Sequence, residues 1–368
     1  MIPMKNVALA HHWLVSMRGG EKVLEQIGQV FPTAPVYSLV ADPARLSPAL
    51  RAHPIHTSPL QSLPGGARHY KKLLPLFPAA VRALRVMDPV DLIVSSDASV
   101  IKGLAYPEGT RHVCYCHSPP RYLWDLQEDY RQSAEVGGSI GRLVFNRVAP
   151  YVRDFDRRAA RHVTHFIANS EFVRQRIRTC YGRESEIIYP PVALDAFRVA
   201  TEPPEDFGLC VSQLTPYKRI DVAVAAFTAS GRRLVVIGEG SERAKLEKMA
   251  GPTITFLGPQ PGEVLQDHFR RCRALIFPGV EDFGITPLEA MASGRPVIAY
   301  RAGGVTETVL DGATGLFFGE QTPESLLDAL ERFDAASFDP AACRARAETF
   351  SPARFRDEFT SFLQRLPA

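Results

Sequence analysis

Residues 274–300, ALIFPGVEDFGITPLEAMASGRPVIAY, decide the fold class. ALIFPGV is a short, nearly continuous apolar run, and PVIAY is a second one. Runs of this kind are strands covered on both faces. Between them Thr286-Pro287 predicts a helix start, with a hydroxyl at N-cap and proline at N1. Gly294 followed by Pro296 predicts its end. Strand, helix and strand in immediate succession form a βαβ unit, which requires parallel strands.

The same alternation extends outward in both directions. Upstream, GLCVSQL, RLVVIGEG and ITFLG read as strands, and downstream GLFF does. In the first half the candidates are VALAHHWL, VYSLV, DLIVSS, HVCYCH, HFIANS and EIIYPP. Thr322-Pro323 and Ser351-Pro352 repeat the helix-start pattern. The linker VALDAFRVATEPPEDFG, with Pro203-Pro204, separates the two sets. The chain of 368 residues therefore divides into an N-terminal domain over 1–200, a C-terminal domain over 208–350, and a terminal helix over 351–368. Two doubly wound α/β domains in series place a cleft between them, and ligands of such sheets sit at the carboxyl ends of the strands.

Composition excludes several classes. Hydrophobic residues make up 45% and charged residues 23%, as in a soluble globular protein. No uncharged apolar run approaches the ~18 residues of a membrane-spanning helix. The opening MIPMKNVALAHHWLV is a poor signal peptide and a good first strand. Six cysteines without paired spacing fit a reducing cytoplasm. The net charge of +3 is unevenly placed. Of 43 basic and 40 acidic residues, 25 and 17 lie in residues 1–200 and 18 and 23 beyond, balances of +8 and −5. Residues 43–87 hold no carboxylate but carry Arg45, Arg51, Arg68, Lys71, Lys72, Arg82 and Arg85.

Five motifs are candidates for chemistry. Gly19-Gly20 follows strand one and precedes a helix, so it is either a phosphate-binding helix N-terminus or a tight turn. In His112–Arg121, strand alternation points Val113, Tyr115 and His117 to one face, and His117 falls at the carboxyl end of the strand. The Cys114-x-Cys116-His117 spacing fits no common zinc template. Lys218 and Arg219 lie in a strand-to-helix loop, where they could neutralise a diphosphate or form a solvated basic turn. Gly238-Glu239-Gly240 resembles a mononucleotide turn, but Arg243 stands where a dinucleotide fingerprint needs its third glycine. Glu281 and Glu289 are separated by seven residues. Glu289 could also close a capping box with Thr286, and Gly284 permits close backbone approach to a ligand.

In this order and spacing the motifs resemble the retaining glycosyltransferases of family 4, with the GT-B fold, over essentially the whole chain. The resemblance is strongest from Gly208 to Phe318, through Lys218-Arg219, Gly238-Glu239-Gly240, Phe256-Leu257-Gly258, Glu281-x7-Glu289, AMASGRPVIA, Gly303-Gly304 and Gly315-Leu316. The wording is most like that of bacterial GDP-mannose-dependent mannosyltransferases. The resemblance implies two Rossmann-like domains facing a cleft, and a C-terminal helix that crosses back to the first domain. It implies that Lys218, helped by Arg219, binds the donor diphosphate. Glu289 would hold the ribose hydroxyls. Glu281, with the backbone of Phe283, Gly284, Ile285 and Thr286, would meet the transferred sugar and phosphates. Gly238 and the loop at Gly258 would lie at the nucleotide, and His117 and Gly19-Gly20 would approach the donor from the first domain. Many members have Arg where this chain has Gln213.

Such a site implies no metal and no cofactor beyond the nucleotide-sugar donor, because the cations already stand where diphosphate charge develops. The expected reaction moves a hexose to a lipid-linked or glycan acceptor in bacterial surface polysaccharide or glycolipid synthesis. The expected location is cytoplasmic, peripheral on the inner face of the plasma membrane. The stretch His69–Val86 mixes basic residues with Leu73, Leu74, Leu76, Phe77, Val81 and Leu84, a composition suited to an anionic membrane surface. The alternatives are a UDP-glucose or UDP-N-acetylhexosamine transferase and a GT-B sugar-nucleotide epimerase. A dehydrogenase would need a complete glycine fingerprint, and a nucleic-acid binder would need aromatics interleaved with the basic stretch.

Overall fold

The computed structural model describes residues 6–128, 138–199 and 201–366. The first five residues, read as the lead-in to strand one, and residue 200 of the linker lie outside them, as do residues 367 and 368 of the terminal segment. The chain forms two compact units: residues up to Pro191 together with those from Pro352, and Val192–Ser351.

The first unit is built on a seven-stranded parallel sheet in the order β3-β2-β1-β4-β5-β6-β7. Its strands are β1 Val7–His11, β2 Val36–Ser38, β3 Ile55–Thr57, β4 Leu92–Asp97, β5 Arg111–Cys116, β6 His165–Ala168 and β7 Ser185–Ile187. Its main helices are α1 Gly19–Val30, α2 Phe77–Ala83, α3 Gly138–His162, α4 Glu171–Tyr181 and α11 Pro352–Arg365. Edge strand β3 escapes sequence reading because Ile55 is its one strong apolar residue and prolines flank it at 54 and 59. Helices α1 and α11 cover one face of the sheet. Val23, Leu24 and Ile27 meet Leu9, Val94, Val113 and Tyr115, and Phe355, Phe359, Phe362 and Leu363 join the same core. The terminal helix thus packs on the first unit through positions i, i+4, i+7 and i+8, one stripe of a 3.6-residue period.

The opposite face buries an ionic cluster. The strand end Ser95-Ser96-Asp97 puts a carboxylate under α3, where Asp97, Lys102 and Asp156 are each at most 2% exposed. Lys102 Nζ lies 3.1 Å from Asp97 and 2.5 Å from Asp156, and donates to the Ser99 carbonyl at 2.8 Å. Trp124 and Tyr181 donate to the second oxygen of Asp156 at 3.0 and 2.9 Å. Burial works against the ammonium charge, but Asp156 and Asp97 outweigh it and hold Lys102 protonated well above its usual range. The cluster is stable only as a set, since removing one partner leaves an uncompensated buried charge. Cys114 lies nearby, its thiol pushed up to about 12 by burial.

The second unit carries a six-stranded parallel sheet in the order β10-β9-β8-β11-β12-β13. These strands are β8 Gly208–Val211, β9 Leu234–Ile237, β10 Ile254–Gly258, β11 Ala274–Phe277, β12 Val297–Tyr300 and β13 Gly315–Phe318. This is the 3-2-1-4-5-6 order of the Rossmann fold, with its switch point between β8 and β11. The helices are α5 Ile220–Ser230, α6 Arg243–Met249, α7 Gly262–Arg271, α8 Ile285–Ala292, α9 Pro323–Asp334 and α10 Pro340–Glu348. The unit begins ahead of the proline pair of the linker. Val192 N–H donates to the Phe350 carbonyl at 2.9 Å, Phe197 packs on Phe269, and Arg344 donates to the Phe197 carbonyl at 2.8 Å.

Two of the three helix starts stand where the hydroxyl-proline pattern puts them. Thr322 accepts from Ser325 N–H at 3.3 Å, and α11 begins at Pro352. The third differs. Helix α8 begins at Ile285, and its N-cap is Gly284 at φ +88°. Thr286 is therefore inside the first turn and the Thr286–Glu289 capping box does not form. The left-handed turn that Gly284 permits lets the helix start two residues early.

Candidate donor site

The predicted residues of the second unit lie at the carboxyl ends of its strands, on the loops there or in the helix α8 that follows β11. After β8, the chain makes a single turn at Pro216–Lys218 and then enters α5 through Arg219. Arg219 has φ +52°, alone among the described non-glycine residues in having a positive φ. A left-handed arginine costs on the order of 1 kcal/mol, and such strain concentrates at functional loops. Its guanidinium donates to Asp221 at 3.2 Å and to the Gln321 carbonyl at 3.1 Å. Lys218 makes an ion pair with Glu281, and its ammonium stands 5.3 Å from the Tyr217 ring centroid. Sequence positions 63 residues apart, both expected in the site, therefore meet at the switch point between β8 and β11. Gln213 is exposed on the same loop.

Glycines hold these loops against one another. A Cβ at Gly303 would fall 2.5 Å from the Glu281 carbonyl oxygen, and one at Gly304 would fall 2.4 Å from Phe283 Cα. Gly304 N–H donates to the Glu281 carbonyl at 2.9 Å. Gly303-Gly304 therefore clamps the backbone of Glu281–Phe283. The Phe283 side chain is buried against Phe350, so Phe283 can meet a ligand only through its main chain. Gly284, Ile285 and Thr286 follow as the N-terminus of α8, whose free amides carry partial positive charge. Glu289 is half-buried one turn further along that helix.

Gly238 and Gly258 have a structural reason beyond any ligand. Gly238, at φ +140°, leaves no room for a Cβ because the Ser212 carbonyl lies against it. Its N–H donates to the Gly258 carbonyl at 3.0 Å. The mononucleotide-like turn thus packs on the 212–214 loop, and Leu214 N–H donates to the Glu239 carbonyl at 3.0 Å.

In the first unit, His11, Ser96 and His117 stand side by side at the ends of β1, β4 and β5. Register pairs His11 with Ser96 and Ser96 with Tyr115. Ser96 Oγ is 3.1 Å from His11 Nδ1 and 2.7 Å from His117 Nε2. Asn169 donates to the His117 carbonyl at 3.0 Å, and Ser170 then caps α4. Burial drags His117 down to about 3, so the imidazole is neutral at physiological pH. Gly20 sits over this row. A Cβ there would lie 3.3 Å from His11 Cε1 and 3.5 Å from His117 Nε2. Gly19-Gly20 opens α1 without positive φ, so close approach to the imidazoles, not turn geometry, calls for glycine at 20. The buried Glu21 carboxylate accepts from Arg18 N–H at 3.1 Å, serving one free amide of that helix end.

Sequence reading missed Ser96, which no motif marks, and the cluster of Asp97, Lys102 and Asp156. The interruption of an apolar strand by Ser95-Ser96-Asp97 was the available signal. Among the described residues no group of three or more His, Cys, Asp or Glu could hold a metal ion, and no helix is long and apolar enough to cross a membrane.

Comparison with known proteins identifies the family and the fold. Residues 17–196 match the model of the family described as Glycosyltransferase Family 4, and residues 195–349 match the one described as Glycosyl transferases group 1. A GDP-mannose-dependent alpha-(1-6)-phosphatidylinositol monomannoside mannosyltransferase of Mycolicibacterium smegmatis is 30% identical over 211 residues, 49% of this chain and 55% of that protein. A D-inositol 3-phosphate glycosyltransferase of Mycobacterium avium is 30% identical over 198 residues, 48% of this chain and 47% of that protein. The chain spans about half the length of the curated relatives it matches. Among solved structures, sucrose-phosphate synthase from Thermosynechococcus elongatus superposes with TM-score 0.70 at 19% identity, covering 98% of this chain and 99% of that one. Anabaena HepE, solved with UDP and glucose, superposes with TM-score 0.68 at 18% identity, covering 98% and 100%. Two Rossmann-like units with glycine-clamped loops at their strand ends define the GT-B class. The chain belongs to the family 4 glycosyltransferases.

Proposed function

We propose that this protein is a retaining hexosyltransferase that moves a hexose, with mannose from GDP-mannose as first choice, to a lipid-linked or glycan acceptor in surface polysaccharide or glycolipid synthesis. The observation that carries the reading is the meeting of Lys218 with Glu281 beside the clamped N-terminus of α8. When the sugar–phosphate bond breaks, the sugar becomes oxocarbenium-like and the diphosphate gains negative charge. Lys218, Arg219 and the amides of α8 stabilise that charge where it develops. The acceptor oxygen attacks from the face the phosphate leaves, and its proton passes to the departing phosphate oxygen. His117, being neutral, meets the sugar as a hydrogen-bonding group and not as a cation. No step needs a metal.

The GDP-mannose choice is supported by the motif wording and by the names of the mycobacterial relatives. A UDP-hexose is the second reading, favoured by the UDP and glucose bound to HepE. A thermal-shift panel of GDP, UDP and ADP with their sugars separates the two. A donor at 100 times its Kd adds about 2.7 kcal/mol. For units of this size that is a rise on the order of 5–10 °C. The expected result is a rise with GDP and GDP-mannose. A rise with the uridine compounds alone overturns the mannose assignment.

An anionic membrane surface is the proposed location of the acceptor. The apolar residues of His69–Val86 are less available than their composition suggests. Phe77, Val81 and Leu84 are buried, Leu73 and Leu74 are half-buried, and Leu76 is exposed. The charges fare differently, since Arg68, Lys71, Lys72, Arg82 and Arg85 are all exposed. The segment Tyr70–Leu76 packs against α3, whose outer face exposes Leu143, Val144 and Tyr151 beside Arg142 and Arg147. Each basic residue near an anionic surface contributes about 1 kcal/mol. Co-sedimentation should therefore be strong with vesicles containing phosphatidylglycerol and weak with phosphatidylcholine, and should fall with salt. Equal binding to both vesicles would remove the electrostatic account.

A further inference from the structure

The row His11–Ser96–His117 fixes more than position. A serine hydroxyl has one proton to give, and here two imidazole nitrogens compete for it. Both contacts, 2.7 Å to His117 Nε2 and 3.1 Å to His11 Nδ1, are of hydrogen-bond length. The burial of His11 decides between the possibilities. It is fully buried, and its Nε2 has no hydrogen-bond partner. If Ser96 donated to His11, Nε2 would carry a proton and become an orphaned buried donor. If His11 donates from Nδ1, Nε2 is an orphaned acceptor, the less rare of the two. Burial, with His12 and His117 nearby, keeps His11 neutral, so it has one proton to place.

We propose that Ser96 is a positioning residue that sets the tautomer of His117: His11 Nδ1–H donates to Ser96 Oγ, Ser96 O–H donates to His117 Nε2, and His117 therefore presents Nδ1–H outward as a donor to an oxygen of the bound sugar. This rests on the reading of His117 as a ligand-contacting residue. Gly20 keeps the row intact, because a side chain there would press on both imidazoles. Asn169 fixes the main chain of His117 from the other side. With its tautomer fixed before the ligand arrives, His117 can donate to a sugar hydroxyl or ring oxygen but cannot accept from one. A sugar oxygen methylated at that contact would still accept the bond, whereas a deoxy sugar would lose it.

The test uses the full chain with 15N-labelled histidine, without and with the donor identified by the thermal-shift panel, and His117 assigned by His117→Gln. The native protein should show His117 with a protonated Nδ1 and an unprotonated Nε2. Ser96→Ala should convert that signal to one averaged over both tautomers, and Ser96→Thr should restore it. In kinetics Ser96→Ala should lower kcat/KM roughly tenfold, the equivalent of one hydrogen bond of about 1.4 kcal/mol, with Ser96→Thr recovering most of it. A native His117 protonated at Nε2, or a signal unmoved by Ser96→Ala, overturns the inference even if the variant loses stability. The native tautomer as described, together with unchanged transfer in His117→Gln, would instead remove the role of His117 in the proposed function and leave the hydrogen-bond assignment standing.

Discussion

Taken from pH 7.5 to pH 5.5, the first unit should lose about 5–6 kcal/mol of stability for each pH unit below 6.5, following from four histidines held neutral by burial at about 1.4 kcal/mol each. Burial lowers His12 to about 4 and both His112 and His117 to about 3, and holds His11 well below its ordinary value. Each binds a proton in the unfolded chain near pH 6.5 but resists it in the folded one. Their contribution is complete above pH 6.5. It declines as pH falls through the window between 6.5 and the folded values, because there the unfolded state holds the extra protons. A domain of ordinary stability would then unfold near pH 5. Trp13 and Trp124 are the two tryptophans of the chain and both lie in the first unit. Tryptophan fluorescence in urea therefore reports that unit alone. His112 is held by Ser95 Oγ at 2.7 Å and by Tyr106 Oη at 3.3 Å, so His112→Gln keeps polar partners while removing one titrating group. The slope should fall by about a quarter in that variant. A native slope near zero between pH 6.5 and 5.5 would mean that these imidazoles are hydrated.

Lys218→Ala should reduce transfer by roughly 10²–10³-fold, the cost of removing one preorganised group from developing charge. On the proposed roles it should also weaken the nucleoside diphosphate, since Glu281 would be left beside the phosphates without its cation. Glu281→Gln should behave differently. Freed from its ion pair, Lys218 should bind the diphosphate as tightly as before or more so, while transfer falls with loss of the sugar contact proposed for Glu281. Titration calorimetry with the diphosphate, alongside turnover, reads the two effects separately. Folding should scarcely change in either variant, because the pair is partly solvated, with side chains 14% and 24% exposed. Unaltered diphosphate affinity in Lys218→Ala would place the phosphates elsewhere in the unit. Tighter diphosphate binding with undiminished transfer in Glu281→Gln would leave Lys218 in place but remove Glu281 from the reaction.

These two effects differ in how far the sequence foretold them. Lys218 and Glu281 could be singled out because each lies in a local pattern, a strand followed by a loop and a helix start, whose spacing is dictated by backbone geometry. Twelve strands, the terminal helix with its stripe Phe355, Phe359, Phe362 and Leu363, and the division into two α/β units were legible for the same reason. The start of α8 was misplaced because Gly284 can adopt a left-handed turn that no pattern of hydroxyl and proline reveals. The apolar residues of His69–Val86 were credited to a surface because composition cannot say which side of a short helix faces a sheet.

What the sequence alone determined is therefore the class: periodicity 2 and 3.6, glycine and proline punctuation, and the order of motifs fix two parallel sheets and name the loops at their ends. What only the tertiary structure decided are the partnerships made across the sheets. Ser96 lies 85 residues from His11 and 21 from His117, yet β4 runs between β1 and β5 and brings all three together. Lys102 meets Asp156 only because α3 returns over the same strand ends. The physical reason is that side-chain chemistry is written residue by residue, whereas proximity, burial and the consequent choice of proton position depend on which strands pair and what covers them.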